Sequence, residues 1–425
     1  MNLLGKLYRY FVANLFFYIA RHKKNTGESI IFMPHSGFSR NDFIDLFNYR
    51  SDSAMTFAHY LLENNLCPDK EFILFVPSKM DIDSSYQKAK KLYPNNRFKF
   101  LSWDYFLFDY NNPDCLKTIK EFCRCVHRSS HLFVSITYKI EKFVCDQIVV
   151  DLNYYPAPLK NDFLPPTSKY YMKLEQVGKK YNMVMFTSEL AIRLEMPSMS
   201  LSHEQYSDFG LCRNDNLLND SSYSNIREKI LSSVSYPARR IVVYIPTHRD
   251  YEQEMTDAAR SLFGYSMDFN ELNQVLLEEG IVIVCKVHPK QNRAAFSKEL
   301  PESVLIHQSN HEYGLTELMK VSDCMIADYS TGYFDYLLLD KPIIFNFYDV
   351  ERYNMERGFT YNPIESIVAG DIVKTSEQFI TALRNIDSNC EKWRTKRAFV
   401  RDLFFRYQDA NCCKRVYEYF FNTLE

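Results

Sequence analysis

The sequence predicts an α/β protein built from two Rossmann-like, doubly wound domains that face a cleft. Three observations predict it. Short, β-rich apolar runs recur along the chain with helical stretches between most of them, the rhythm of a parallel sheet covered by helices. Several of those runs are continuous rather than alternating, as in strands buried on both faces. A cluster of prolines (Pro156, Pro158, Pro165 and Pro166) interrupts the series and divides it into two halves. With 425 residues, 46% of them hydrophobic and 24% charged, the chain has ordinary globular composition and is long enough for two or three domains.

In order along the chain, residues 1–25 come first, with five Lys or Arg and no acid. Their apolar stretch, Tyr10 to Ala20 with Asn14 inside it, falls short of the roughly 20 apolar residues a spanning helix needs. Arg21-His22-Lys23-Lys24 stands where a signal peptide would want small residues. Two readings stay open. One is an amphipathic segment in a membrane interface, with aromatics buried and basic residues on anionic headgroups. The other is a helix docked on the first domain. Residues 26–180 read as that first domain. Its strands are expected at Ile30–Met33, Glu71–Pro77, Phe98–Leu101, His131–Ile136 and Gln147–Leu152, with a helix starting near Asn41. Residues 181–400 read as the second domain. Its strands are expected at Tyr181–Thr187, Arg240–Pro246, Ile281–Val287, Cys324–Ala327 and Pro342–Asn346, with helices at Leu272–Glu279 and Tyr333–Leu339. An amphipathic helix, roughly Trp393 to Asn422, closes the chain, and residues 401–425 are assigned to it alone.

Composition narrows the function. The 51 basic and 53 acidic side chains leave a net charge of −2, which argues against nucleic acid as a partner, since that binding rests on many Lys and Arg phosphate contacts. Eleven cysteines without a second CxxC pair read as free thiols in a reducing cytosol rather than as a zinc site or a disulfide framework. No metal and no tightly bound cofactor is expected. With only 11 glycines and neither GxGxxG nor GxxxxGK[ST], any phosphate site has to use another device.

That device is legible at the ends of four consecutive strands in the second half. Pro246-Thr247-His248-Arg249-Asp250 follows the first and Lys286-Val287-His288-Pro289 the second. Asp328-Tyr329-Ser330-Thr331-Gly332 follows the third, and Asn346-Phe347-Tyr348-Asp349, then Tyr353, Arg357 and Gly358, follow the fourth. Each has a bland reading alone: Thr247 or Ser330 caps a helix, or Arg249 and Asp250 form a surface pair. Together, at the carboxyl ends of parallel strands, they point to a ligand site. Ser330 and Thr331 are expected at a helix N-terminus, where free N–H groups favour an anion and two hydroxyls add donors. Lys286, Arg249 and Arg357 are placed to neutralise a leaving diphosphate. His288 is a core histidine, a phosphate ligand or a proton donor.

These motifs resemble the CDP-glycerol glycerophosphotransferase family: the teichoic acid primases and polymerases and related capsule enzymes. Pro246-Thr247-His248-Arg249-Asp250, Lys286-Val287-His288-Pro289 and Asp328-Tyr329-Ser330-Thr331 stand in the family's order. Phe334-Asp335-Tyr336, Lys341-Pro342, Asp349, Tyr353 and Arg357-Gly358 follow, and Gly210-Leu211-Cys212-Arg213-Asn214-Asp215 matches an upstream motif. The match is good over about 180–385 and looser over 30–180. The resemblance implies a GT-B-like architecture with a C-terminal helix crossing back, and CDP-glycerol or CDP-ribitol held mainly by the C-terminal domain. It implies transfer of alditol phosphate to a hydroxyl of a lipid-linked or glycan acceptor, with release of CMP, at the cytoplasmic face of the bacterial plasma membrane. It makes His288 catalytic and Arg249, Ser330, Thr331 and Asp335 donor contacts, with Thr247, Lys286, Asp328 and Arg357 completing the phosphate site. Arg213 and Asp215 fall on the acceptor side.

One position departs from the family. Its Trp-His-Gly-Thr-Pro-Leu-Lys motif reads Tyr154-Tyr155-Pro156-Ala157-Pro158-Leu159-Lys160 here, so Tyr155 replaces the histidine that is the candidate base, and a tyrosine is a poor base at neutral pH. Three accounts follow: another group serves, with His35 after the first strand as the candidate; the acceptor binds differently because it is a different sugar or lipid, with Tyr155 and Lys160 as acceptor-side candidates; or the chain is slow or inactive. Two functions of other classes compete with alditol-phosphate transfer. They are a GT-B glycosyltransferase using a nucleotide-sugar donor, and a nucleotide-binding assembly protein without turnover.

Overall fold

The structure is a computed structural model that describes residues 3–34, 52–76, 82–102, 110–135, 146–152, 178–199, 201–247, 249, 262–287, 300–307, 313–356 and 358–422. The helix expected near Asn41, and the site candidates His35, Tyr155, Lys160, His288 and Arg357, lie outside the described residues.

Helices α1 (Leu3–His22), α2 (Ser53–Glu63), α3 (Ile82–Leu92), α4 (Cys115–Arg128) and α5 (Glu189–Met199) accompany strands β1 (Ser29–Met33), β2 (Glu71–Val76), β3 (Arg97–Ser102), β4 (Ser129–Val134), β5 (Ile148–Asp151), β6 (Met183–Met185) and β7 (Tyr206–Ser207). These seven strands form one sheet in the order β3-β2-β1-β4-β5-β6-β7. Two short helices follow, α6 (Cys212–Leu218) and α7 (Ser224–Leu231). The second sheet contains β8 (Arg240–Ile245), β9 (Ile281–Cys285), β10 (Val304–Ile306), β11 (Cys324–Ala327), β12 (Ile343–Asn346) and β13 (Asp371–Val373) in the order β10-β9-β8-β11-β12-β13. Its helices are α8 (Phe269–Glu279), α9 (Leu315–Val321), α10 (Gly332–Leu337), α11 (Val350–Glu356), α12 (Ser376–Arg384) and α13 (Ile386–Phe404), and α14 (Cys412–Phe421) ends the described chain. The strand pairings between these elements are parallel.

The continuous apolar runs follow from burial on both faces. In β1, Ile31 and Met33 join the core under α1 and α4, while Ile30 and Phe32 join the core under α2 and α14. In β8, Ile241, Val243 and Ile245 pack on one face and Val242 and Tyr244 on the other.

Three elements differ from the sequence expectation. The strand near Tyr181–Thr187 pairs with β5, so the first sheet runs past residue 180 and the second begins only at Arg240. A run of three buried apolar residues carries no mark of which sheet it joins, because pairing partners are set by tertiary contact. The closing helix is two helices, α13 and α14, with Phe405–Asn411 between them. Cys412, Cys413 and Val416 of α14 then pack into the core of the first sheet, so the C-terminal helix does cross back. For α1, the docked reading describes one face: Ala13, Phe17 and Ala20 are buried against α4. The opposite face is apolar and open, with Leu4, Tyr8 and Phe11 74%, 65% and 69% exposed, joined by Leu15, Tyr18 and Ile19. Among the described residues, no helix is long and apolar enough to cross a membrane.

Candidate active site

In the second sheet the chain builds outward from β8 in one direction through β9 and β10, then returns to add β11, β12 and β13 on the other side. Strand order therefore reverses between β8 and β11, the point where open α/β sheets leave a crevice at their carboxyl ends. The residues singled out from the sequence meet there. Thr247 follows β8, and both its backbone N–H and its hydroxyl donate to Asp328 after β11, at 2.8 and 2.6 Å. Arg249 Nη1 donates to Asp328 Oδ2 at 2.9 Å and to the Thr247 carbonyl at 2.8 Å. Its Nε and Nη2 donate to the two oxygens of Asp349, after β12, at 2.6 and 3.0 Å. Tyr329 donates its hydroxyl to Asp349 Oδ1 at 3.0 Å.

This network is buried, with the Arg249 and Asp328 side chains 1% and 0% exposed. Burial works against the guanidinium charge, yet Asp328, Tyr348 and Asp349 outweigh it and hold Arg249 well above its usual range. The rings of Tyr348, Tyr329 and Tyr353 lie 4.5, 5.3 and 5.7 Å from its Cζ, close enough for cation–π attraction. Gly264 makes room for one of them. Its φ is +87°, and a Cβ there would sit 2.2 Å from the Tyr348 ring.

At the same strand ends lie half-buried groups. Lys286 follows β9, and its backbone N–H donates to Tyr244 of β8 at 2.8 Å. Ser330 and Thr331 lead into α10; Thr331 makes no side-chain cap bond, and Ser330 Oγ accepts from Gly332 N–H at 3.3 Å. By burial the site thus has two tiers, a buried salt-bridge layer and a half-buried rim of hydroxyls and a lysine. Arg249 sits in the lower tier, with four hydrogen bonds given to Asp328, Asp349 and Thr247. That arrangement braces three strand ends. Asp349 and the three tyrosines stood in the strand-end cluster read from the sequence, which gave none of them a role of its own; their partner, Arg249, is what the fold supplies.

Asp335, on α10, is engaged from the far side. Arg213 of α6 donates Nε and Nη2 to its Oδ2 at 3.1 and 3.0 Å, with both side chains about one-tenth exposed. Asp335 Oδ1 is buried and has no hydrogen-bond partner, a condition that costs about 1–3 kcal/mol if nothing fills it. Asp215, one turn before the end of α6, accepts from the backbone N–H groups of Cys412 and Cys413 at 2.9 and 2.8 Å. It caps α14, a structural use the motif did not disclose. Burial raises its carboxyl above the usual range, opposed by those two N–H groups. Lys341 likewise closes the end of α9, donating to the carbonyls of Lys320 and Ser322 at 2.7 and 2.6 Å. Burial pushes its ammonium down to about 8.

The first sheet has its own reversal, between β1 and β4. Here Ser135 donates to Asp52 Oδ1 at 3.0 Å, and Asp52 accepts from Met55 N–H at 3.0 Å as the N-cap of α2. Asn216 of α6 donates to Thr56 of α2 at 3.0 Å, so α6 ties the first sheet's helix layer to the second. Among the described residues, no group of three or more His, Cys, Asp or Glu side chains is placed to hold a metal ion.

The chain is similar to known proteins in sequence and in fold. A teichoic acid poly(glycerol phosphate) polymerase of Staphylococcus epidermidis is 23% identical over 340 residues, 75% of this chain and 45% of that protein. A teichoic acid glycerol-phosphate primase of Bacillus spizizenii is 32% identical over 171 residues, 39% of this chain and 41% of the relative. The matched region thus spans less than half the length of either relative. The solved wall teichoic acid polymerase TagF superposes with a TM-score of 0.70 at 17% identity, over 98% of this chain and 97% of that one, which establishes the GT-B-like fold. The family described as CDP-glycerol:poly(glycerophosphate) glycerophosphotransferase matches residues 159–422, well over half of the sequence. The chain belongs to that family.

Proposed function

We propose that the protein transfers glycerol phosphate or another alditol phosphate from a CDP-alditol to a hydroxyl of a lipid-linked or glycan acceptor, releasing CMP, in teichoic-acid-like or capsular polymer synthesis. The observation that carries this reading is the two-tier site at the β8/β11 reversal. There Thr247, Lys286, Ser330 and Thr331 rim a buried Arg249–Asp328–Asp349 network. In the reaction the acceptor oxygen attacks the phosphorus that bears the alditol, the bond to the CMP oxygen breaks, and the acceptor proton passes to a base. Ser330 and Thr331 donate hydrogen bonds to the diphosphate, and Lys286 offsets the charge that grows on the leaving CMP. The buried tier carries two carboxylates against one guanidinium, a net negative charge, so a dianionic donor needs Lys286, and the motif residues His288 and Arg357 are the further cations assigned to it. Arg249 keeps the rim in place instead of being the main anion ligand. His288 acts at the phosphate, and His35 takes the role of base that Tyr155 fills poorly.

The open face of α1 is proposed as the membrane contact, with the protein peripheral at the inner face of the plasma membrane. Its exposed Leu4, Leu7, Tyr8, Phe11 and Leu15 precede exposed Lys23 and Lys24 in the chain, and α4 adds exposed Lys117, Lys120 and Arg124, the pairing of apolar area with cations that anionic lipid surfaces attract. The Phe11→Glu/Leu15→Glu variant, altered only at exposed positions, is expected to keep its thermal midpoint and lose sedimentation with anionic vesicles. Sedimentation equal to the unaltered chain would remove the anchor. The reaction is tested by supplying CDP-glycerol, CDP-ribitol and nucleotide sugars with acceptor and following nucleotide release. CMP from a CDP-alditol is expected. Release from nucleotide sugars alone, or from no donor, would overturn the assignment.

A further inference from the structure

We infer that Arg213 is a positioning residue for the donor: it grips one oxygen of Asp335 and leaves the other to accept a hydroxyl of the CDP-alditol. The inference rests on the functional reading above and adds a residue that lies outside the strand ends. Both Arg213 and Asp335 are 7% exposed, and the two donated hydrogen bonds converge on Oδ2 alone. Oδ1 is buried without a partner, so this carboxylate is held at one oxygen and unsatisfied at the other. A carboxylate can only accept. Phosphate oxygens, also acceptors and negatively charged, are repelled there, and a hydroxyl is the complement. Asp335 lies one helical turn beyond Ser330 and Thr331, and Phe334, Tyr336 and Leu337 around it are fully buried, so the backbone that presents it is fixed. A CDP-alditol whose diphosphate lies on Ser330 and Thr331 brings two sets of hydroxyls into that neighbourhood, on the alditol and on the ribose.

Arg213 is itself held from the other sheet. The next turns of α6 are tied by Asn216 to Thr56 of α2 and by Asp215 to the start of α14. The Arg213–Asp335 pair therefore joins a helix anchored on the first sheet to the helix that carries the donor rim. Its two-pronged geometry is one that arginine makes and lysine does not.

The test is steady-state CMP release against CDP-alditol concentration for the unaltered chain, R213K, R213Q, D335N and the R213Q/D335N double variant, with thermal midpoints in parallel. R213Q is expected to raise the donor KM by roughly 10- to 100-fold, the effect of losing a charge-assisted hydrogen bond, with a smaller change in kcat. R213K recovers part of the loss, and the double variant is no worse than the worse single one. Competition by CMP locates the hydroxyl: a weakened CMP affinity in R213Q puts it on the ribose, and an unchanged one puts it on the alditol. Lowered midpoints with an unaltered donor KM, or single losses that simply add, would reduce Arg213 to a structural tie. If R213Q fails to fold, the double variant, which leaves no lone buried charge, carries the same KM comparison. An unaltered chain that releases no CMP from any CDP-alditol overturns the functional reading and this inference together, whereas normal turnover with an unchanged R213Q KM overturns this inference alone.

Discussion

At the reversal of the second sheet, Arg249 bridges Asp328 and Asp349 beneath a rim of Thr247, Ser330, Thr331 and Lys286; at the reversal of the first, Ser135 donates to Asp52, whose work is to cap α2. The two sheets are wound alike, and both leave a crevice at the same topological place. The difference lies in what fills the strand ends. In the second sheet, three loops far apart in sequence are locked together by one guanidinium. In the first, the polar groups among the described residues, Ser135 and Asp52, satisfy a helix terminus. Topology offers two equivalent positions for a ligand, and the side chains distinguish them; the proposed function assigns the anion to the second.

The largest expected effect breaks the second site. Arg249→Met leaves Asp328 and Asp349 buried without their cation, a loss of about 3–5 kcal/mol, read as a lower urea midpoint together with loss of CMP release. Retained stability would mean that the buried tier is not what fixes the strand ends. The next effect falls on the first sheet, where α14 lies over His131 of β4, its ring 4.6 Å from that of Phe421. Burial, with a smaller push from Lys70, lowers the His131 imidazole from 6.5 to about 4. The folded form thus binds its proton later than the unfolded form does. Stability is intact above about 6.5 and declines as pH falls toward 4, by at most about 3 kcal/mol. His131→Phe should flatten that decline in urea midpoints measured across pH, and a slope that persists would place its origin elsewhere. The smallest effect sharpens the contrast itself. Asp52→Ala removes the cap of α2 and costs about 1 kcal/mol while the donor KM stays as it was. A raised KM would make the first sheet's reversal part of the donor site.

Much of this was legible in the sequence wherever the physics is local. The runs Ile30–Met33 and Arg240–Pro246 announce buried strands because alternate residues feed two cores. The strand ends are legible as well, since a polar cluster directly after such a run lies at the carboxyl edge of a parallel sheet. What escaped is long-range. Strands β7, β10 and β13 have only two or three residues each, too few for a periodic signal, and they exist through their neighbours. Asp215 and Arg213 stand in one recognisable motif, yet one caps a helix that starts 197 residues later and the other grips a carboxylate 122 residues away. The aromatic box around Arg249 belongs to the same class: Tyr329, Tyr348 and Tyr353 stand in the strand-end cluster, but only the fold brings their rings onto one cation.

The central claim, that the donor is held at the reversal of the second sheet, is tested most directly by a crystal structure of the protein with a CDP-alditol bound. The account predicts the diphosphate within hydrogen-bond reach of Ser330, Thr331 and Lys286, with Arg249 still enclosed by Asp328 and Asp349 beneath it. A diphosphate seated instead at the end of β1 beside Ser135 and Asp52 would contradict it.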